Sequence, residues 1–187
     1  MIGKRHRADL ECARRAALEV QPEFAELISR NAAINGFADR LRSVQTDVRE
    51  VSAGTLGGEV DIVVSNPPYM KTEDIKNITP IEHMLYPSCF STAYKQYDKY
   101  FLFIERALHL LKDQGKLGYI VPSKFMKVGA ATKLRKLISD GKHMSALLSF
   151  GAFQVFSDKS TYSSIIVLHK NGSQKFQFSE VENFKAW

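Results

Sequence analysis

The chain has 187 residues, 44% of them hydrophobic and 25% charged, with a net charge of +6 and a pI of about 9.3. This composition excludes a disordered chain, and two cysteines far apart exclude a disulfide scaffold. No apolar run is long enough for a membrane span and no apolar h-region follows the basic amino terminus, so a cytoplasmic location is expected.

The basic excess favours a polyanionic partner, nucleic acid before membrane. Cys12 and Cys89 and the five histidines lie in no metal-ligand spacing, so no metal is expected. Residues 1–15, with Lys4, Arg5, Arg7, Arg14 and Arg15, read as a basic arm. The remainder, 16–187, has the length of one domain.

In chain order, Ala16–Val20 reads as a short strand. A helix follows, with Pro22 at its first position and Gly36 at its left-handed cap. Phe24, Leu27, Ile28 and Ala32 recur at helical spacing. Leu41–Gln45 is the next strand, ending at Thr46-Asp47. Asp61–Val64 is apolar and β-branched, which predicts a central parallel strand covered on both faces. It runs into Asn66-Pro67-Pro68-Tyr69. Each proline fixes φ, lacks an N–H and pushes the preceding residue toward extended backbone, so this turn is stiff.

Residues 70–98 show no clear periodicity and are expected as a long loop. Lys71, Lys76, Tyr86, Tyr94, Lys95 and Tyr97 suit it to a lid that stacks on and clamps nucleic acid. Lys99–Leu111 keeps a 3.6-residue period and predicts a helix capped by Gly115. Leu117–Val121 is a strand closed by Pro122, Ser123–Val128 a polar loop, and about 130–139 a helix carrying Lys133, Arg135 and Lys136. Ser145–Phe150 and Ser163–His169 predict an antiparallel hairpin, and Phe176 and Phe178 one further edge strand. The alternation predicts an α/β, Rossmann-like sheet, mostly parallel with a C-terminal antiparallel hairpin.

In such sheets ligands bind at the carboxyl ends of the strands, where the turn 66–69 lies. The amide oxygen of Asn66 and the carbonyl of Pro67 together can accept both hydrogens of a planar exocyclic amine, freeing its nitrogen lone pair. Tyr69 offers a face on which the ring bearing that amine stacks. A nucleophile made by hydrogen-bond geometry alone needs a very reactive electrophile, for which S-adenosylmethionine (SAM) is the candidate. Glu19, at a strand end, is the candidate acceptor for ribose hydroxyls of that cofactor, and Asp47 for its adenine amine. Asn66 borders the same site.

Asn66-Pro67-Pro68-Tyr69 after an Asp-apolar strand resembles the catalytic motif of amino-group methyltransferases, those acting on adenine N6 and those acting on a protein glutamine. The stretch Leu18-Glu19-Val20-Gln21-Pro22-Glu23, with Arg30-Asn31, Asn35-Gly36 and Asp47, is similar to tRNA adenine-N6 methyltransferases. Residues 61–168 resemble the adenine-specific DNA methyltransferases of restriction-modification systems. That resemblance rests on the Asn66 motif, Tyr100–Glu105, Leu110-Leu111 with Gly115, Gly118–Ser123, Val155-Phe156 and Ser163–Leu168. It implies a class I methyltransferase fold and SAM-dependent methylation of adenine N6, in DNA rather than RNA. It also implies that Phe156 packs on the extruded base opposite Tyr69. RNA adenine and protein glutamine remain alternative substrates, and an inactive nucleic-acid-binding remnant is a third reading. The family's first strand and its D-x-G-x-G-x-G turn have no match before Leu18, where Gly3 is the one glycine. The first strand is therefore expected to be missing or replaced by Met1–Arg15, the chain to be a truncated form, and its SAM binding to be weak.

Overall fold

The computed structural model describes residues 15–19, 22–36, 38, 41–45, 48–155 and 162–181. They fall into two compact units, Met1–Glu59 and Val60–Trp187, so the stretch expected as one domain divides between Glu59 and Val60. Of the expected basic arm, only Arg15 lies among the described residues.

The first unit is a βαβ crossover. β1 (Arg15–Glu19) and β2 (Leu41–Gln45) pair in parallel, from Arg15 opposite Leu41 to Glu19 opposite Gln45. The connection is α1 (Pro22–Ile34). Pro22 opens it, and Gly36, at φ 70°, turns the chain out of it. A short turn of helix, α2 (Ala53–Leu56), closes the unit, with the Ser52 hydroxyl accepting from the Thr55 N–H.

The second unit is built on a five-stranded sheet, in the order β3 (Val60–Ser65), β4 (Leu111–Pro122), β6 (Ser163–His169), β5 (Met144–Ser149), β7 (Gln177–Glu180). β3 runs parallel to β4, and β5 parallel to β7. β6 lies antiparallel to both β4 and β5, and β5 with β6 is the expected hairpin. β4 is longer than its apolar run 117–121 suggests. Its pairing with β3 jumps from Val60 opposite Leu111 to Ile62 opposite Lys116, and the excess residues bulge out between. Gln114 there has φ 66°. Gly115, expected as a helix cap, sits in this bulge, where a Cβ would lie 2.8 Å from the Lys112 carbonyl.

The core forms on α5 (Lys99–Leu110), which buries Tyr100, Phe101, Leu102, Ile104, Ala107 and Leu108. Each large apolar side chain so buried contributes about 1.5–3 kcal/mol. The 3₁₀ turns at Ser123–Met126 and Gly129–Ala131 lead into α6 (Thr132–Asp140), with Leu134 and Ile138 facing inward.

Two expectations are corrected. The stretch 70–98 is not a long loop: α3 (Thr72–Ile78) and α4 (Pro80–Cys89) occupy most of it, and Ile75, Tyr86, Phe90 and Tyr97 are buried. Pro80, which reads as a breaker, stands at the first turn of α4, where its missing N–H costs nothing. β3, in turn, is not covered on both faces: Ile62 is 50% and Val64 77% exposed. Among the described residues it ends its sheet, paired with β4. No helix of the described residues is long and apolar enough to cross a membrane.

Candidate functional site

β3 ends at Ser65, and the two prolines carry the chain off its carboxyl end. Asn66 is exposed, Pro67 buried, Pro68 exposed and Tyr69 half-buried. The Tyr69 hydroxyl lies 2.7 Å from Asn66 Oδ1 and donates to the Ile120 carbonyl at 2.8 Å, on the neighbouring strand β4. The ring meets the edge of Tyr100, with centroids 5.9 Å apart and planes at 79°. Tyr100 is itself held by a bond from its hydroxyl to the Pro122 carbonyl at 3.3 Å. Burial, and then the charge of Asp98, push the Tyr69 phenol up to about 12. It stays protonated at neutral pH and serves as a donor rather than a base.

The chain beyond the turn is tied down. The Met70 N–H donates to Asp98 Oδ1 at 3.0 Å, Lys99 N to the Met70 carbonyl at 2.8 Å, and Thr72 N to the Tyr97 carbonyl at 3.0 Å. Asp98 holds the N-cap position of α5 without capping it. Its second oxygen takes Lys124 Nζ at 2.7 Å, a pair whose carboxylate side is 5% exposed. Glu82 gathers Thr79, Tyr86 and Lys99 Nζ at 3.1, 2.8 and 2.6 Å. Burial works against its ionised form, but these donors outweigh burial and hold the carboxyl below its usual value. Glu105 does the same for the segment before Asp98. It accepts the N–H and hydroxyl of both Ser91 and Thr92 at 2.6–2.9 Å. Burial raises this carboxyl, yet the four donors bring it below the carboxylate norm.

A cavity of about 780 Å³ opens beside the turn, within the size range of small-ligand sites. Tyr69, Asp98, Ser123, Lys124, Lys127 and Tyr162 are among its lining residues. Ser123, on the polar loop after β4, donates its N–H to the Tyr162 carbonyl at 2.8 Å and shares a 2.6 Å hydroxyl contact with Ser164.

Of the residues singled out in the sequence, Asn66, Pro67, Pro68 and Tyr69 stand together on this one turn. Glu19 closes β1 in the first unit. Asp47 and Phe156 lie outside the described residues. Asp98, Lys124, Tyr162 and the Ile120 carbonyl were not anticipated. A polar Ser123-Lys124 directly after an apolar strand is the one sequence signal that points to them.

Sequence comparison places the chain in a family. The model of the family described as Eco57I restriction-modification methylase matches residues 11–156, well over half of the chain. The chain belongs to that family. In keeping with Eco57I methylase membership, it is 50% identical over 129 residues to the type II restriction enzyme and methyltransferase RM.Eco57I of Escherichia coli, covering 69% of this chain and 13% of that protein. It is 34% identical over 118 residues to the type II methyltransferase M.PaeR7I of Pseudomonas aeruginosa, covering 63% of this chain and 20% of that one. The chain thus spans a fifth or less of the length of these two relatives. Among solved structures, the methyltransferase subunit of a type I restriction-modification system from Streptococcus thermophilus superimposes with a TM-score of 0.66 at 21% identity, over 87% of this chain and 35% of that one. The chain has the class I methyltransferase fold, an α/β sheet mixing parallel and antiparallel strands.

Proposed function

We propose that the chain transfers a methyl group from SAM to the N6 amine of an adenine in DNA, with residues 66–69 holding the amine. The carrying observation is the turn itself. Asn66 presents an exposed amide, and among the described residues no group donates to the Pro67 carbonyl. Both acceptors stand beside a tyrosine whose hydroxyl is already engaged. DNA is the substrate of restriction-modification methylation, and family membership supports it here.

The Tyr69 hydroxyl has one hydrogen and two acceptors. With that hydrogen given to Ile120, Asn66 gains by turning its Nδ2 toward the phenol oxygen. Oδ1 then faces away, free to accept from a substrate amine. The adenine leaves its stack at a cost of about a few kcal/mol and lies against the Tyr69 face. Its amine hydrogens go to Asn66 Oδ1 and the Pro67 carbonyl, which orients the nitrogen lone pair for in-line attack. Phe156 is the proposed second face for the base.

SAM supplies an electrophilic methyl on its sulfonium sulfur. Its fit rests on β1 and β2: Glu19 closes a parallel strand at the carboxyl edge, the position from which α/β sheets bind nucleotides. Glu19 and Asp47 are the proposed acceptors for the ribose and the adenine of the cofactor. A Gly-rich cradle for its methionine end is not among the described residues.

The experiment offers tritiated SAM with DNA, tRNA and a release factor, and digests each product. Label recovered as N6-methyladenine from DNA is the expected result. Label in tRNA adenine or in glutamine, with none in DNA, overturns the assignment. Tyr69→Phe keeps the stacking face and loses the bridge from Asn66 to Ile120. One lost hydrogen bond of about 1.4 kcal/mol predicts a roughly tenfold lower turnover. Single-turnover kinetics on the DNA substrate check this.

A further inference from the structure

Two lysines converge on one exposed ring. Lys95 Nζ lies 5.2 Å and Lys133 Nζ 5.6 Å from the centroid of Tyr94, which is 36% exposed. A ring attracts a cation but leaves its charge in place, so two ammonium groups here repel each other with no anion between them. The ion pairs of Lys99, Lys112, Lys124 and Lys136 include neither of these lysines, and no carboxylate among the described residues pairs with them. Lys95 also holds φ 55°, the left-handed region that side chains other than glycine seldom adopt.

Fixed segments carry all three residues. Glu105 grips Ser91 and Thr92, two residues before Tyr94. The Lys133 helix is fastened by Arg135 Nη1, which donates to the carbonyls of Phe125 and Val128 at 2.8 and 2.7 Å. The chain reaches the cavity beside Tyr69 at Asp98, after Tyr94, and at Lys127, in the stretch that leads into the Lys133 helix. Asp98 lies four positions along the chain from Tyr94, a span of at most about 14 Å. A DNA strand carries one phosphate per about 3.4 Å of axis, so a strand with a base in the cavity runs several phosphates over that distance.

We propose that Tyr94, Lys95 and Lys133 form a phosphate-binding platform for the DNA backbone flanking the target base. The platform rests on the DNA reading above for its ligand and not on methyl transfer. The test measures binding of the 187-residue chain to a fluorescein-labelled duplex by anisotropy over a series of KCl concentrations. Lys95→Ala with Lys133→Ala is expected to flatten the slope of log K against log[KCl] by about 0.9 per phosphate contact released. The melting curve is expected to stay unchanged, both side chains being exposed. Lys136→Ala, on the same helix but paired with Asp140 at 2.8 Å, is expected to leave the slope as it was. An unchanged slope in the double variant, an equal flattening by Lys136→Ala, or no duplex binding by the unaltered chain overturns the platform. Should the slope change appear while no N6-methyladenine is formed, the platform stands and the methyl-transfer reading falls.

Discussion

Asn66→Ala is expected to lower methyl transfer to adenine by about 100- to 1,000-fold, the usual loss when one preorganised polar group is removed from a reacting centre. The fold should not register the change. Asn66 is exposed, and the Tyr69 hydroxyl that it touches retains the Ile120 carbonyl, so stability should move by no more than about 0.5 kcal/mol. The amine gains its attacking geometry from the amide on the way to the transition state, so kcat and kcat/KM should fall together with KM little altered. Asn66→Asp keeps an oxygen acceptor and should fall less. Rapid-quench measurement of methyl transfer at saturating DNA, beside a thermal melt, separates these outcomes. Unchanged turnover in Asn66→Ala would remove the amide from the mechanism.

Glu105→Gln is expected to destabilise the second unit by about 3 kcal/mol, or roughly 10 °C in melting temperature. The amide presents an NH2 to a site where the carboxylate meets donors alone, and the N–H and hydroxyl of the fully buried Thr92 would be left without an acceptor. Urea denaturation at neutral pH measures the loss. Its pH dependence has a fixed sign. The carboxyl titrates lower in the folded chain than in the unfolded one, so its contribution is full above the unfolded value of about 4.3 and is lost as pH falls through the lower folded value. The stability gap between Glu105→Gln and the unaltered protein should therefore close in acid. Glu82, also held low, weakens both proteins over the same range, so the gap is the quantity to follow. A gap that widened with acid would mean that Glu105 is not ionised in the fold.

The elements that bury a regular face were legible from periodicity alone. Ser163–His169 is β6 as expected, and α5 falls one residue short of its expected end. The helices α3 and α4 were not, because Pro80 and Pro87 look like breakers and only Ile75 and Tyr86 of those two helices are buried. The exposure of β3 was also hidden: its side chains are those of a covered strand, and nothing in Asp61–Val64 encodes what lies beside it. At the candidate site, the turn Asn66 to Tyr69 was legible because two adjacent prolines after a strand restrict the backbone. Asp98, Lys124 and Glu105 were not, since an acid or a lysine reads the same whether it meets solvent or a partner distant in sequence. Their roles come from burial, which brings Asp98 to Met70 across 28 residues.

The strand order has a mechanical consequence. β4, β6 and β5 lie inside the five-stranded sheet, whereas β3 at one end and β7 at the other each have one neighbour in it, so local opening should begin at these two margins and reach the inner strands last. The turn 66–69 thus hangs from a margin that frays readily. The Tyr69 hydroxyl crosses from that margin to the Ile120 carbonyl on β4 and pins the turn to the sheet interior, so that displacing Asn66 takes the rupture of this bond as well as the fraying of β3.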